Sequence, residues 1–310
     1  MVERIIIDCD PGVDDAAALL LAFGSTEIEV LGITAVAGNI PLEKTEANAR
    51  YICELGNRTD IPVFQGCGRP LLYPQRDGVA VHGVDGLGDV GLPRPSSAPA
   101  DRAAVQFIID QVRSTPGEVS IAALGPMTNL AVALAVDPEI AKLIKRIVFM
   151  GGAAFCKGNI TARAEFNFYF DPHAAQAVLA SGIPTVMFGL DVTQKAVITN
   201  ERTARLRSQG TIGNTIADML SAYSAGDPCL HDPCVIAFLI EPTIFSGVEA
   251  FVEVDCQSTL AIGQSIASVG ERELAGRAPN CTVITDVADD RLFSLLEERY
   301  SQLDRAAKAA

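Results

Sequence analysis

The chain alternates short β-branched apolar runs with longer amphipathic stretches, at a spacing that predicts a strand–helix rhythm. Ile5-Ile6-Ile7 opens the first strand, and Pro11-Gly12 breaks it ahead of a helix over residues 16–23. A second apolar run over 29–36 ends at Gly38-Asn39, Pro41 starts a helix to about residue 55, and 61–64 reads as a short third strand. Residues 66–99 are rich in Gly and Pro and carry little periodicity, which fits a functional loop better than a linker because strands continue after it. The rhythm then resumes with a helix over 103–113, a strand over 119–124, a Gly125-Pro126 break, a helix over 128–135 and a strand over 146–150. An irregular stretch to residue 170, a helix begun by Asp171-Pro172 and a strand over 184–190 follow. Residues 199–224 read as helices, 235–240 as an apolar helix, 248–254 with 258–262 as a late hairpin, 281–287 as the last strand, and 291–308 as a terminal amphipathic helix. Short apolar runs without alternation are strands buried on both faces. Interleaved with helices, they predict an α/β fold with an open, mostly parallel central sheet, helices on both faces and a small late β-hairpin. No shift in composition and no internal repeat divides the chain, so residues 1–310 are expected to form a single domain.

Composition narrows the choice of partner. A formal charge of -14 argues against nucleic acid or an anionic membrane and leaves a small neutral molecule open. The eight cysteines show no disulfide framework and no C-x-x-C pair, which favours reduced thiols in a cytoplasmic protein. Cys229-x-His231-x-x-Cys234 fits no common zinc spacing. With the first strand expected after Met-Val-Glu-Arg, no signal peptide is expected, and no apolar run approaches the roughly 20 residues that span a bilayer.

The chemistry gathers where strands end. Asp8, Asp10, Asp14 and Asp15 place four carboxylates within eight residues of the first strand–turn–helix. Helix capping accounts for Asp14 and Asp15 but not for Asp8 and Asp10. Such crowding calls for a cation, and oxygen-only ligands favour Ca²⁺ or Mg²⁺. Asn39, Asn129, Asn159, Glu165, Asn167 and the pair His231-Asp232 follow other strands, and the carboxyl ends of parallel strands share one edge of a sheet. Each has a plainer reading: Asn39 as a turn residue, His82 as a solvated loop histidine, Thr128 and Asn129 as helix caps, Glu165 as a surface charge, Met150 as core, His173 as structural.

The ordered set resembles a known family. Asp8-x-Asp10-Pro11-Gly12-Val13-Asp14-Asp15 is similar to the N-terminal signature of the nucleoside hydrolases, the inosine-uridine preferring family. Val36-Ala37-Gly38-Asn39, His82-Gly83, Leu124-Gly125-Pro126-Met127-Thr128-Asn129, Met150-Gly151-Gly152 through Gly158-Asn159 to Ala164-Glu165-Phe166-Asn167, and His231-Asp232-Pro233-Cys234 follow in the family's order. The resemblance implies calcium-dependent hydrolysis of the N-glycosidic bond of ribonucleosides, with Asp10, Asp15, Asp232 and the Leu124 carbonyl as Ca²⁺ ligands. It further implies that Asp10 takes a proton from a metal-held water and that Asp14, Asn39, Asn159, Glu165 and Asn167 hold the ribose. His231 and His82 would lie on the base side, Met150 on the site wall, and Asp8 would orient the other carboxylates. A homodimer or homotetramer is implied as well.

The chain departs from the pattern in three places. The stretch before His231 is short and leaves Tyr223 as the candidate aromatic over the base. There is no tryptophan to stack on a purine, which points to a nonspecific or pyrimidine-leaning enzyme. Residues 263–268 are more polar than the strand usual there. Two competing readings stand beside this one. A Mg²⁺-dependent phosphohydrolase of the haloacid dehalogenase type also uses D-x-D, but wants a threonine that Pro11-Gly12-Val13 does not supply. A non-catalytic nucleoside- or ribose-binding protein would need neither Asp10 nor His231.

Overall fold

The computed structural model describes residues 2–74 and 81–309, so six residues of the Gly/Pro-rich stretch, 75–80, lie outside the described residues. The first half follows the sequence pattern: β1 (Glu3–Cys9), α1 (Val13–Phe23), β2 (Ile28–Ala35), α2 (Leu42–Leu55), β3 (Val63–Gln65), α3 (Ala104–Ser114), β4 (Val119–Ala123), α4 (Thr128–Val136) and β5 (Arg146–Met150). The second half contains α5 (Phe166–Phe170), α6 (Pro172–Leu179), β6 (Thr185–Phe188), α7 (Leu190–Thr193), α8 (Asn200–Arg207), α9 (Thr211–Tyr223) and α10 (Pro233–Ile240). It ends with β7 (Phe245–Val254), β8 (Ser265–Ser268), α11 (Gly270–Leu274), β9 (Cys281–Val287) and α12 (Asp289–Ala309).

The strands form one sheet in the order β3-β2-β1-β4-β5-β6-β9-β7-β8. Every pairing from β3 to β9 is parallel, and β7 runs antiparallel to both β9 and β8. The side-chain period of two decides what each face holds: Ile5 and Ile7 join the apolar layer built with α1, α10 and α12, while Ile6 joins the layer built with α3, α4 and α6. The expected parallel sheet with helices on both faces is therefore what forms.

Local departures have local causes. The late hairpin pairs β7 with residues 265–268, not 258–262, which are turns. The polar segment flagged by the sequence is thus itself the strand at the sheet edge, a place where polar side chains are tolerated. The strand expected over 184–190 stops at Phe188, because Leu190 N–H turns back to the Gly152 carbonyl (2.9 Å) and starts α7. α5 has no helical hydrophobic period and was expected as irregular chain; the Glu165 carboxylate makes it by accepting from Asn167 and Phe168 N–H.

Topology fixes where a ligand can sit. The chain winds outward through β1, β2 and β3, then returns to place β4 on the other side of β1. The loops leaving β1 and β4 therefore diverge, and the crevice between them opens at the carboxyl edge of the sheet. Among the described residues no helix is long and apolar enough to cross a membrane.

α1 carries this crevice and is buried along its whole length. α12 clamps it from outside: Tyr300 is fully buried and its hydroxyl donates to Ala17 O (2.8 Å). Removing that hydroxyl in Tyr300→Phe should cost about 1 kcal/mol, since Ala17 O is left without one partner. Tyr300→Ala should cost roughly 3–5 kcal/mol by leaving a cavity. Urea unfolding of both variants checks the ratio; equal losses would mean that the ring contributes nothing beyond its hydrogen bond.

Candidate active site

The floor of the crevice is the turn between β1 and α1. Gly12 caps α1, and Asp15, three residues on, accepts from Gly12 N–H (2.9 Å) and Asp10 N–H (3.3 Å). Capping and site-building thus fall to one side chain. The Asp10 carboxylate accepts from Asn39 N–H at 2.6 Å, and the Asn39 amide donates to Asp10 O and to Asp15, both at 3.3 Å. Gly38 and Gly125 press against the same carboxylate, so a methyl group on either would collide with its oxygens. Asp232 arrives from the start of α10 on the other side. Asp14, Asp15 and Asp232 offer oxygens that all lie within 4.8 Å of one another.

These four carboxylates are buried, Asp10 to 1% and Asp15 to 0% exposure. Burial, then the negative charge of Asp15, holds Asp10 well above the usual carboxylate range. Burial and the charges of Asp14, Asp15 and Asp10 do the same to Asp232, and burial with Asp14 lifts Asp15 to about 6. Among the described residues no lysine or arginine is paired with any of them. An all-oxygen set of mutually repelling buried carboxylates is what a hard divalent cation would relieve.

Asp8 stands apart. Its Oδ1 accepts from Thr34 Oγ1 (2.5 Å) and Asn129 Nδ2 (2.8 Å), and burial, offset in part by those bonds, pushes it up to about 7. Those partners tie β1 to β2 and α4; they do not connect it to the other carboxylates. The expected role of Asp8 in orienting its neighbours is therefore replaced by one in bracing the strands. Thr128 and Asn129 are likewise not caps. Thr128 donates to Asp171 (2.8 Å), and Asn129 donates to Asp8 and Ala35 O (3.1 Å) while accepting from Cys67 N–H (2.7 Å).

One wall comes from the segment after β5. Glu165 is buried, not a surface charge, and accepts from Gly152 (2.8 Å), Asn167 (2.8 Å) and Phe168 (3.2 Å) N–H groups. Burial raises its pKa against the pull of those three donors. Asn167 Nδ2 donates to Leu124 O (2.8 Å) and Met150 O (3.2 Å), which links the proposed carbonyl ligand to this wall. Asn159 sits at the exposed lip, its Oδ1 accepting from Phe166 N–H (3.0 Å). Met150 is both core and wall, being buried yet facing the cavity.

The opposite wall carries the histidines. His82 is not a solvated loop residue: its Nδ1 accepts from Val13 N–H (3.1 Å), and its ring lies 5.1 Å from that of Tyr223. Burial lowers its pKa to about 4, in agreement with an Nδ1 that accepts. His231 is held at both nitrogens, Nδ1 by Thr193 Oγ1 (2.7 Å) and Nε2 by Asp227 Oδ2 (3.1 Å). Burial works to lower its pKa, but the bond to Asp227 and the charges of Asp227, Asp14 and Glu165 prevail and raise it.

A cavity of about 620 Å³ lies between the walls, a size suited to a small organic ligand. It is lined by every residue proposed above for substrate, metal or catalysis except Asp10 and Asp15, which lie beneath its floor. Sequence reasoning passed over Asp227, Thr193 and Gln194. The i,i+4 spacing of Asp227 and His231 was a usable signal; the contact from Thr193 to His231 joins distant parts of the chain and left none.

Comparison with known proteins accords with this geometry. The chain is 43% identical over 310 residues to a pyrimidine-specific ribonucleoside hydrolase of Escherichia coli, covering 96% of this chain and 98% of that one. Among solved structures, a plant nucleoside hydrolase superposes with a TM-score of 0.92 at 30% identity, covering 97% of this chain and 99% of its own. A purine-preferring ribonucleoside hydrolase from Gardnerella vaginalis superposes with a TM-score of 0.91 at 33% identity, covering 98% and 100%. The sequence profile of the inosine-uridine preferring nucleoside hydrolases matches residues 5–294, and the chain belongs to that family of enzymes.

Proposed function

We propose that this nucleoside hydrolase splits ribonucleosides into free base and ribose with Ca²⁺ as cofactor, Asp10 as general base and His231 assisting departure of the base. The observation that carries the reading is the cluster of carboxylates without a lysine or arginine partner, among the described residues, under a nucleoside-sized cavity, with His231 paired to Asp227 on the wall. The donor set fits calcium: Asp10, Asp15, Asp232 and the Leu124 carbonyl are all oxygen ligands, and their mutual repulsion leaves them in need of positive charge. When bound, calcium would order the attacking water and the sugar hydroxyls and acidify that water.

The chain's own groups do the rest. Asp10 takes the proton from the attacking water; the Asn39 N–H and the two flanking glycines hold its carboxylate in one orientation. Asp14 shares the carboxylate cluster with Asp15 and Asp232 and also faces the cavity, so it is assigned to the sugar at the edge of the metal set. Asn39, Asn159, Glu165 and Asn167 supply further polar groups for the ribose. Bond cleavage leaves positive charge on the sugar ring, and the carboxylates stabilise it. His231 donates to the base, as electron density moves there, the Nε2 proton it otherwise shares with Asp227, and the bond to Asp227 with the nearby carboxylate charges strengthens its hold on protons against burial. His82 is assigned to the base side, supported by its place in the cavity lining with Nδ1 accepting from Val13 N–H.

The base preference is proposed as nonspecific or pyrimidine-leaning. It is supported by the absence of tryptophan and the likeness to the pyrimidine-specific Escherichia coli enzyme.

Incubation with uridine, inosine and p-nitrophenyl riboside, followed by a reducing-sugar assay, should show ribose release. Release should be lost in excess chelator and restored by Ca²⁺; activity untouched by chelation would remove calcium from the scheme. Asp10→Ala should abolish turnover. Gly125→Ala, which keeps every proposed residue but displaces the Asp10 carboxylate, base and ligand at once, should lower kcat by about 10²-fold or more. A fully active Gly125→Ala enzyme would count against Asp10 as the base. His231→Ala should slow uridine hydrolysis by about 10²–10⁴-fold while leaving p-nitrophenyl riboside, whose leaving group needs no proton, within a few-fold. Equal losses on both substrates would strip His231 of the acid role.

A further inference from the structure

The residues facing the cavity are held in place by others that do not face it, and one four-residue turn holds both walls. Directly after β5, four consecutive backbone amides are captured by side chains from three separate places. Gly152 N–H donates to Glu165 (2.8 Å), Ala153 to Ser265 Oγ (2.8 Å), and Ala154 and Phe155 to the two oxygens of Asp191 (2.8 and 2.7 Å). The loop pinned this way continues to Asn159 at the cavity lip. Two residues beyond Asp191, fully buried Thr193 holds His231 Nδ1 on the other wall.

Both holdings come from α7, which is itself tied to the end of β5 by Leu190 N–H to Gly152 O. Behind α7 the chain stays fastened to the approach to His231, through Ile198 N–H to Pro228 O (2.7 Å) and Leu230 N–H to Ala196 O (2.9 Å). Neither Asp191 nor Thr193 lines the cavity. Asp191 has both oxygens engaged by backbone donors. A ring fastened at one nitrogen can swing; fastened by Thr193 and Asp227 together, the His231 imidazole has one orientation.

We infer that α7 is a shared support for the two walls, with Asp191 a positioning residue for the sugar-side loop and Thr193 a positioning residue for His231. The inference rests on the assignment, made above, of Asn159 to the sugar and His231 to the departing base. It requires the two residues to act on different kinetic quantities although they are neighbours on one turn.

The test is steady-state kinetics of Asp191→Ala, Asp191→Asn, Thr193→Val and Thr193→Ser on uridine and p-nitrophenyl riboside, beside Asn159→Ala and His231→Ala, with thermal unfolding of each. Asp191→Ala should raise KM about tenfold on both substrates, the loss of roughly one well-placed hydrogen bond to the sugar they share. It should add less than about threefold when Asn159 is already alanine, because residues acting through one contact are not additive. Asp191→Asn keeps one acceptor oxygen and should fall between, which preserves the test if the alanine variant does not fold. Thr193→Val should lower kcat on uridine by about 10-fold or more and spare p-nitrophenyl riboside, and Thr193→Ser should restore it. Independent, multiplying effects of Asp191→Ala and Asn159→Ala, or a Thr193→Val loss equal on both substrates, would overturn the inference. A His231→Ala enzyme that treats both substrates alike would instead overturn the acid assignment, and the coupling of Asp191 to Asn159 would still decide the sugar-side half.

Discussion

Mutual repulsion among buried carboxylates is the constraint around which the rest of this molecule is arranged. Asp10, Asp14, Asp15 and Asp232 are taken out of water with, among the described residues, no lysine or arginine paired to them, and their charges add to burial in raising the proton affinity of Asp10 and Asp232. Such an arrangement survives only if the scaffold around it is too well fastened to relax. The fastening is visible at every point: α1 is buried along its length, Asn39 and two glycines enclose Asp10, and Asp15 is locked to the turn it caps. The local destabilisation at the site is carried by the two apolar layers that flank the sheet.

The same constraint explains the division of the sheet. Seven parallel strands present their carboxyl ends on one edge, and the order reversal at β1 and β4 opens the only kind of crevice in which groups from both sides can meet. Asp10 and Asp15 enter from the turn after β1, Leu124 from the end of β4, and Asp232 from much later in the chain. Their convergence follows from strand order, and it brings residues separated by more than half the sequence to one site.

Most of this was legible from residues alone where physics is local. Breakers such as Pro11-Gly12 and Gly125-Pro126 marked strand ends, and four aspartates at one turn had no comfortable solvent-facing explanation. Reading failed where a residue's role depends on a partner far along the chain. Thr128 and Asn129 sit where caps belong but are recruited as struts by Asp171, Asp8 and Cys67. Asp8 sits among site residues yet faces Thr34. Residues 265–268 look wrong for a strand because their polarity answers to the sheet edge, which only the assembled order reveals. His231 drew attention by type, whereas Thr193, which fixes its ring, has nothing in its neighbourhood to announce it.

The two walls of the cavity differ in what they are made of, and that difference bears on how such an enzyme can change over time. The floor and sugar side are held by main-chain donors and by glycines with no room for a side chain, so almost any substitution there disturbs several bonds at once. The opposite wall is faced with side chains, among them Val81, Gln194 and Tyr223, of which Tyr223 is also part of the apolar core and packs on His82. Chemistry and selectivity therefore meet on that wall, because His231 and Asp227 stand on it beside those side chains. A lineage, or an engineer, that reshapes this wall has to work around His231 and the two partners that fix its ring.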